Sequence, residues 1–407
     1  MKLDILEYTS DQGLPTEWKL EKSQLGQINL IVGKNASGKT RVVKIIQHLS
    51  EILSGILSRY ESWEQTEDWY LAFNQNSSQD TIEYNLKIER RLVIQEKLTI
   101  GDRIVLERER SGVGTIFAEE LDRDINFKIP EAELAVVKRQ DSIQHSFLEN
   151  IHQWENSLRF YEFGLQLDQN TLAPLPQKIE VFKKHKKFME LIKMTKHSSD
   201  CTRIIGIFVV GKKELGDRFV QAILKDMNGI GYNISKIGTK GIISSSPNLD
   251  YYGYPTTFLQ SLYVQENDLN TITKQVSMSQ GMFRALSLLI QVNYFVQSGQ
   301  PGCIIVDDIG EGLDYQRSSA LIKILIEKIE QAKTDSVQLI MTTNDEFIMN
   351  GVPLEYWSVI DRTSGHVKLH NIFNAKDKIE EFKFIGLNNF DFFTSEFHKQ
   401  ELSNEEE

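Results

Sequence analysis

Apolar residues near the start of the chain form two short runs and then a helical repeat. Residues 3–8 and Ile28–Val32 predict strands, and the second run, apolar except for Asn29, is typical of a strand buried on both faces. A loop follows it, and the apolar positions of residues 39–58 recur at helical spacing. The order strand, loop, helix is therefore predicted at the start of the chain.

The period of the apolar positions changes to two between residues 69 and 129. Within this stretch Ile82, Tyr84, Leu86 and Ile88 alternate with polar or charged neighbours, which predicts antiparallel sheet. Three further segments follow, namely a helical pattern over residues 142–154, a strand pattern over residues 158–163 and a linker with two prolines over residues 170–177.

A second lobe is predicted after the linker. Residues 177–274 are mostly helical in pattern, apart from a small strand at residues 204–210 and a glycine-rich loop at residues 229–246. From residue 279 onward, helical patterns alternate with apolar runs, as in a parallel α/β sheet. These runs lie at residues 303–306, 338–341 and 357–360.

The pattern as a whole predicts an α/β protein in three parts. Residues 1–169 form the N-terminal half of the main domain, residues 170–275 form an inserted helical lobe, and residues 276–407 form the C-terminal half. The strands of the last part are expected to complete the sheet that begins at Ile28.

Charge and composition narrow the class of protein. The 407 residues include 57 Asp and Glu against 46 Lys and Arg, so a net charge of -11 argues against a chain built to coat nucleic acid. Only Cys201 and Cys303 are present, which excludes a disulfide framework and a cysteine-based zinc site and favours a reducing compartment. Without a signal-peptide pattern or an apolar run of about 18 residues, a cytoplasmic protein with no membrane contact is expected.

The strongest chemical signal is a glycine-rich loop between the second strand and the first helix. It fits the pattern G-x-x-x-x-G-K-[ST] with Gly33, Lys34, Asn35, Ala36, Ser37, Gly38, Lys39 and Thr40. The N–H groups of such a loop cradle phosphate oxygens, its lysine reaches the β- and γ-phosphates, and its threonine hydroxyl binds Mg²⁺. We therefore expect ATP and Mg²⁺ as cofactors, with Lys39 in catalysis and Thr40 as a metal ligand.

Two carboxylates follow another buried run. Residues 303–306 are apolar and lead into Asp307 and Asp308, where P-loop proteins place the acid that holds the metal. We expect Asp307 to help bind Mg²⁺ and Asp308 to act as general base on the attacking water. Such a run alone more often ends a strand than marks a site, but the glycine-rich loop upstream favours the functional interpretation.

Two more motifs give the chain a resemblance to ABC-type ATPase heads. Ser279, Gln280 and Gly281 resemble their signature motif, and Gly312, Leu313 and Asp314 resemble their D-loop. The spelling of these motifs is closer to chromosome-maintenance and DNA-repair heads than to transporter cassettes. It is also similar to the overcoming-lysogenization-defect-like ATPases of phage-defence and mobile-element systems. The resemblance covers residues 27–58 and 276–362.

The resemblance implies both a fold and a mechanism. The implied fold is a P-loop NTPase with an ABC-type head, in which a mixed sheet carries an antiparallel subdomain and an inserted helical lobe. Two heads would pack head to tail around ATP as a homodimer or a higher oligomer. Ser279 and Gly281 would then contact the nucleotide of the partner, and Asp314 would couple the two sites. A serine at a helix N-terminus suits an anion, although a lone S-x-G is more often a plain helix cap.

The chain departs from this family at two catalytic positions. Asp308 stands where the family usually has glutamate, so slow turnover is expected, and Asn344 stands in place of the switch histidine as an uncharged γ-phosphate sensor. Glu311 is an alternative catalytic carboxylate. Gln140 is a candidate for the glutamine that links Mg²⁺ to the second lobe.

Spacing and surface patterns bear on partners. About 240 residues separate Thr40 from Ser279, which leaves no room for a long coiled coil, and no acidic group has the spacing of a nuclease site, so a separate effector is expected. A lysine-rich helix at Lys183 to Lys196 is either a solvated face or a contact for DNA, RNA or an acidic partner. Six phenylalanines near the C-terminus favour core packing over partner docking: Phe382, Phe384, Phe390, Phe392, Phe393 and Phe397.

Two functions from different classes fit these observations. The first is an ATPase that dimerises around Mg-ATP and gates an effector in DNA maintenance or anti-phage defence. The second is a nucleotide-bound scaffold with slow turnover that sequesters a toxin or nuclease. A transporter cassette is disfavoured, because the chain has no membrane segment to couple to.

Overall fold

A computed structural model of the chain describes residues 1–56, 66–74, 81–163, 173–175, 201–242, 258–332 and 337–399. Its internal contacts divide it into two units. Unit 1 comprises Met1–Leu158, Pro301–Cys303 and Asp335–Glu407, and unit 2 comprises Arg159–Gln300 and Ile304–Thr334. The three-part division of the sequence stays a prediction, because much of its middle segment lies outside the described residues.

The described residues contain 18 β-strands. They are β1 (Lys2–Ser10), β2 (Trp18–Gln24), β3 (Ile28–Val32), β4 (Thr66–Asn74), β5 (Ile82–Glu89), β6 (Leu92–Ile100), β7 (Arg103–Glu109), β8 (Val113–Ala118), β9 (Arg123–Lys128), β10 (Leu158–Glu162), β11 (Ala173–Leu175), β12 (Ile234–Ile242), β13 (Phe258–Glu266), β14 (Ile272–Lys274), β15 (Gly302–Asp307), β16 (Val337–Thr343), β17 (Trp357–Thr363) and β18 (His366–Asn371).

The α-helices alternate with the strands mainly in the last third of the chain. They are α1 (Lys39–Glu51), α2 (Ala135–Lys138), α3 (Leu148–Ser157), α4 (Cys201–Leu215), α5 (Asp217–Gly229), α6 (Gln280–Ser298), α7 (Tyr315–Glu330), α8 (Glu346–Gly351), α9 (Lys376–Ile385) and α10 (Asn389–Thr394). Helix α1 continues into a π-helical turn at Ile52–Ile56, where Gly55 has a φ of 85°. The rest of the helix predicted over residues 39–58 lies outside the described residues.

Unit 1 is built on a mixed sheet. Its strands lie in the order β16, β3, β17, β18, β2, β1, β4, β5, β6, β7, β8, β9. Strand β3 is parallel to both of its neighbours, since Thr343 of β16 and Val359 of β17 each pair with Val32. All five residues of β3 are buried, as its apolar sequence predicts. The ends of β3 and β16 therefore meet at one edge of the sheet.

The far side of this sheet is the predicted antiparallel subdomain. Strands β4 to β9 pair in sequence order, each antiparallel to the next. In β5 the burial alternates along the strand, and the buried positions are Ile82, Tyr84, Leu86 and Ile88. The period-two pattern of the sequence is thus confirmed.

Unit 2 contains helices α4 to α7 and a small antiparallel sheet. In that sheet β13 lies between β11 and β12, and β14 also pairs with β13. Strands β10 and β15, which lie mostly in this unit, are hydrogen-bonded neighbours. Cys303 in β15 is fully buried, and burial raises the pKa of its thiol to about 12.

Two local predictions for the second lobe are wrong. Residues 204–210, predicted as a strand, belong to helix α4, because a short, continuous apolar run has the same pattern in a helix and in a strand. Residues 229–246, predicted as a loop, contain β12. Gly238 in that strand lies against Tyr263, whose hydroxyl oxygen would lie 2.6 Å from an added Cβ, so the glycine makes room for an aromatic ring.

Two further boundaries differ from the predictions. The helix expected over residues 142–154 begins at Leu148, because the carboxylate of Asp141 accepts hydrogen bonds from the N–H groups of Ile143 and Gln144 and closes a turn there. The linker at residues 170–177 contains the short strand β11. Within the described ranges, no helix is long and apolar enough to cross a bilayer.

The C-terminal phenylalanines pack mostly with one another. Phe382 and Phe392 are buried with ring centroids 5.1 Å apart, and Phe397 lies 5.2 Å from Phe382. Core packing, the preferred interpretation, is therefore confirmed for these three rings. Phe384 differs, since 91% of it is exposed.

His398 lies at the edge of this aromatic cluster. Its ring is 5.2 Å from that of His370, and burial lowers the pKa of His398 to about 4. Lys399, whose ammonium is 2.8 Å from the carboxylate of Asp361, adds a positive charge beside it. The imidazole is therefore neutral in the folded protein near pH 7.

We expect unit 1 to lose stability on mild acidification through His398. Since the unfolded chain binds a proton with a pKa near 6.5 and the folded chain only near 4, the His398 contribution is present above about pH 6.5 and is lost as the pH falls towards 4. The free energy of unfolding should fall by about 2 kcal/mol more in the wild type than in His398→Gln between pH 7 and pH 4.5. Urea titrations at the two pH values measure this free energy of unfolding. Equal losses in both proteins would contradict the prediction, and His366→Gln, an exposed histidine, serves as control.

Candidate nucleotide-binding site

The glycine-rich loop joins β3 to α1, as the sequence predicts. Ala36 and Gly38 have φ values of 62° and 107°, so the loop turns through two left-handed positions before the helix begins. The ammonium of Lys39 lies inside the turn and donates to the carbonyl oxygens of Gly33 at 2.8 Å and Lys34 at 3.2 Å. Only 8% of Lys39 is exposed. The loop is therefore wrapped around a buried positive charge.

Gly33 sits where no side chain fits. An added Cβ would lie 2.2 Å from a methyl carbon of Ile360 in β17 and 2.8 Å from the hydroxyl oxygen of Ser37. The first glycine of the motif is thus required by the close approach of β17.

Replacing Gly33 by alanine should lower the free energy of unfolding by about 2 kcal/mol, because the new methyl group must displace Ile360. Thermal or urea unfolding measures the loss. Gly351→Ala is the matched control, since an added Cβ there meets nothing within 4 Å. A Gly33→Ala protein as stable as the control would show that the loop gives way at little cost.

Two charged side chains from the C-terminal part of unit 1 hold the apex of the loop. Arg362 donates from its guanidinium to the carbonyl oxygen of Ala36 at 3.2 Å. Lys34 pairs with Glu396 at 2.8 Å, which lowers the pKa of that carboxyl group. A cavity of about 370 Å³ opens between the apex and these residues. The loop apex is therefore anchored at its backbone and at one side chain.

Asn344 lies next to the loop. It follows β16, and its amide nitrogen donates to the side-chain oxygen of Asn35 at 2.9 Å. The structure thus brings the predicted phosphate loop and the predicted γ-phosphate sensor together, on the edge of the sheet where β3 and β16 end.

The loop is chemically suited to a phosphate group. The hydroxyl oxygen of Ser37 is buried and has no hydrogen-bond partner among the described residues, so a donor remains for a ligand oxygen. No cluster of three or more His, Cys, Asp or Glu side chains in the described chain could hold a metal by itself. A cation at Thr40 would therefore depend on phosphate oxygens and water, which is the usual arrangement for Mg²⁺.

The two predicted carboxylates lie in unit 2. Asp307 ends β15, is 3% exposed, and accepts a hydrogen bond at its backbone carbonyl from the N–H of Phe163 at 3.0 Å. Asp308 is the next residue and has a φ of 54°. A left-handed conformation at a residue with a side chain costs about 1 kcal/mol or more and is typical of functional sites.

The predicted signature serine is the N-cap of α6. Its hydroxyl oxygen accepts from the N–H of Met282 at 3.2 Å, and Ser279 is exposed. Gly281 lies against the loop that follows Asp308, since an added Cβ would be 2.5 Å from the carbonyl oxygen of Gly312. The signature and D-loop segments therefore touch within unit 2.

Asp314 is the N-cap of α7. Its carboxylate accepts from the N–H of Arg317 at 3.0 Å and pairs with the guanidinium of Arg317 at 2.7 Å. The backbone hydrogen bond is the main reason why the pKa of Asp314 is lowered. Asp314 is thus a fixed, exposed anion at the start of the helix.

Two residues of this region were not found from the sequence. Arg284, 4% exposed, donates to the carbonyl oxygen of Glu311 at 2.6 Å and leaves no room for a Cβ on Gly312, at 2.2 Å. Tyr232, 7% exposed, lies beside Gly281 and under the guanidinium of Arg317. Neither residue belongs to a motif of the sequence, so nothing there marked it.

Two of the remaining predicted site residues lie on exposed turns. Gln140 lies on an exposed turn of unit 1, and its amide contacts a ring nitrogen of His152 at 3.1 Å. Glu311 is exposed in the turn after Asp308. Their roles stay predictions. The lysine-rich helix at Lys183 to Lys196 lies outside the described residues.

Comparison with known proteins identifies a family for this chain. Residues 28–350 match the family described as "AAA domain, putative AbiEii toxin, Type IV TA system". No curated protein sequence matches significantly. Solved structures that are similar include the Smc head domain of Pyrococcus furiosus bound to the C-terminal domain of ScpA, at 12% identity and a TM-score of 0.49 over 94% of this chain and 99% of that one.

Two further solved structures are similar at the same level. The SMC head domain of Thermotoga maritima has 12% identity and a TM-score of 0.43 over 91% of this chain and 98% of that one. The recombination mediator RecF has 12% identity and a TM-score of 0.37 over 90% of this chain and 99% of that one. These similarities concern the layout of the chain and not its activity.

The phosphate loop between β3 and α1 and the family match define a P-loop protein with an AAA domain. The chain belongs to the AAA_21 family of AAA domains. The predicted fold class and the predicted resemblance are thereby confirmed.

Proposed function

We propose that this protein binds Mg-ATP, closes into a homodimer around it and hydrolyses it to reopen, and that this cycle gates a separate effector in DNA maintenance or anti-phage defence in the cytoplasm. The observation that carries the proposal is the buried ammonium of Lys39, held by two carbonyl oxygens of its own loop next to the Asn35–Asn344 pair. Such an arrangement offers a positive charge and an amide donor to the same terminal phosphate.

Binding rests on unit 1. The N–H groups of Gly33 to Thr40 would cradle the phosphates, and Lys39 would exchange its two carbonyl partners for oxygens of the β- and γ-phosphates. Asn344 would release Asn35 and donate to the γ-phosphate. Because an amide does not titrate, the donor in this contact does not change with pH.

Metal binding and water activation would involve carboxylates of unit 2. Besides phosphate oxygens and water, Thr40 would offer Mg²⁺ a hydroxyl oxygen and Asp307 a carboxylate oxygen, with Gln140 as a further candidate ligand. Mg²⁺ supplies charge neutralisation on the phosphates. Asp308 would take the proton of the attacking water, with Glu311 as the alternative, while the β–γ phosphoanhydride bond breaks.

The dimer would use the part of unit 2 at the start of α6. Ser279 and the N–H groups at the start of α6, that of Gly281 among them, would donate to the nucleotide of the partner. Asp314, fixed by Arg317, would transmit the state of one site to the other. The description of the family as a toxin of a toxin–antitoxin system supports a place in bacterial defence.

A second candidate function is a nucleotide-bound scaffold that sequesters a toxin or nuclease. It is favoured by the short side chain of Asp308 and by Asn344 in place of a titratable residue, both of which fit slow turnover. In that case the protein would bind ATP without an ATP-dependent change of mass.

Light scattering with and without Mg-ATP tests the proposal on the wild type and on Asp308→Asn. We expect ATP to convert monomers into dimers in both proteins, followed by a return to monomers only in the wild type, because the variant binds ATP but does not activate water. A molar mass that ignores ATP in both proteins, although ATP binds, would contradict the dimer and favour the scaffold.

A further inference from the structure

The side chain of Arg284 lies between two residues that bond to the backbone of the predicted carboxylates. On one side, its guanidinium donates to the carbonyl oxygen of Glu311 at 2.6 Å, and the N–H of Glu311 donates to the carbonyl oxygen of Asp308 at 3.1 Å. On the other side, the guanidinium lies 5.7 Å from the centre of the Phe163 ring, and the N–H of Phe163 donates to the carbonyl oxygen of Asp307 at 3.0 Å. Arg284 thus contacts the backbone partner of each carboxylate.

The turn after β15 packs closely on helix α6. Gly312 has a φ of 80°, and an added Cβ there would lie 2.2 Å from a guanidinium nitrogen of Arg284. Gly281 is three residues before Arg284, on the same face of α6, and an added Cβ on it would lie 2.5 Å from the carbonyl oxygen of Gly312. Since most residues of α6 are buried, the turn rests on a firmly packed helix.

Asp308 depends on this support because its backbone conformation is unfavourable. Its φ of 54° is left-handed, and such a conformation at a residue with a side chain persists only where the surroundings impose it. The residue before it is fixed at the end of the buried strand β15, and the bond from Arg284 to Glu311 fixes the far end of the turn. A guanidinium suits this task, because a charged donor makes a stronger bond to a carbonyl oxygen than a neutral one does.

We propose that Arg284 is a positioning residue for hydrolysis, which holds the turn after β15 so that the carboxylate of Asp308 meets the water that attacks the γ-phosphate. The inference rests on the proposed function and deepens it, because it gives helix α6 a part in water activation. Arg284 acts through Glu311 and contacts neither the nucleotide nor the water. Without its donor the turn relaxes, and a displacement of about 1 Å at the carboxylate is enough to slow the chemical step.

The test is Arg284→Met, which keeps the apolar stem of the side chain and removes its donors. Steady-state phosphate release gives kcat and KM, and calorimetric titration gives the affinity for ATP. We expect kcat to fall about 10- to 100-fold while KM and the affinity stay within about twofold, because the contact acts on the chemical step alone. Arg284→Lys, which keeps a charged donor without the planar fork, should recover part of the loss.

Two controls separate positioning from a loss of stability. Lys328→Met removes another cation of the same unit, one that pairs with the buried Asp226 at 3.0 Å, and it should leave kcat unchanged although it lowers stability. In an Asp308→Asn background, Arg284→Met should lower the remaining rate no further, because the carboxylate that it positions is gone. If Arg284→Met does not fold, Arg284→Gln, which is polar but shorter, takes its place against the same controls.

The outcomes distinguish this inference from the function on which it rests. A wild type that binds ATP without hydrolysing it, or that keeps full activity in Asp308→Asn, overturns the proposed water activation and this inference with it. A wild type that depends on Asp308, while Arg284→Met keeps its kcat or has the same effect in the Asp308→Asn background, overturns the role of Arg284 alone. An equal fall of kcat in Lys328→Met assigns the loss to stability and overturns that role as well.

Discussion

Replacing Lys39 by methionine is expected to weaken the binding of Mg-ATP by at least about 100-fold. The ammonium is buried inside the loop and already makes two hydrogen bonds that ATP oxygens would replace, so its loss removes charge-assisted bonds worth roughly 3 kcal/mol together. Methionine keeps the apolar stem and leaves no cavity. Calorimetric titration with ATP and Mg²⁺ measures the change.

Lys44→Met is the matched control for this prediction. Lys44 is an exposed lysine on the same helix α1, five residues further along, and its replacement changes the net charge by the same amount. We expect its ATP affinity to remain within about twofold of the wild type, because exposed charges contribute little. Equal losses in both variants would mean that overall charge, and not the loop, governs binding.

The second large effect is expected in turnover. Asp308→Asn should lower the rate of ATP hydrolysis about 100-fold or more, the typical contribution of a general base, while ATP affinity is retained. The substitution suits the backbone, since asparagine tolerates the left-handed φ of 54° better than most residues other than glycine. Steady-state phosphate release measures the rate.

Glu311→Gln distinguishes the two candidate carboxylates. If Asp308 is the base, Glu311→Gln should keep most of the activity. If the large loss occurs in Glu311→Gln and not in Asp308→Asn, the base is Glu311 and the assignment of Asp308 is wrong. If neither variant loses ATPase activity, the result would favour the scaffold, in which hydrolysis is incidental.

The parts of the fold that could be predicted are those whose sequence requirement is local. A fully buried parallel strand must be apolar at every position, as Ile28–Val32 is, and a phosphate loop requires its glycines at fixed places. The alternation in β5 reports one buried and one exposed face. These signals depend on neighbours along the chain and need no knowledge of distant contacts.

The second lobe could not be predicted in the same way. Residues 204–210 are rich in β-branched residues, yet Ile204, Ile205 and Phe208 are buried in helix α4, because packing overrides a weak local preference. In β12 the partner of Gly238 is Tyr263, which is 25 residues away in the sequence. Only the pairing of the two strands explains a glycine there.

The candidate site was predicted in part for the same reason. Motif spacing identified the loop, the carboxylates and Ser279, and the structure brings Asn344 to Asn35. Tyr232 and Arg284 lie outside the motifs and contact them, through the turn before β12, helix α6 and the loop after Asp308. A tyrosine without a motif gives no signal until the chain is folded.

Because Cys303 is buried in β15, the reaction rate of its thiol can report local opening of that strand. A thiol with a pKa near 12 and no exposed surface does not react with maleimides while the strand is in place. In a Cys201→Ser protein, the labelling rate at Cys303 would therefore measure how often β15, the strand that ends at Asp307, opens locally. Slower maleimide labelling of that thiol in the presence of nucleotide would show that ligand binding makes local opening of the strand rarer.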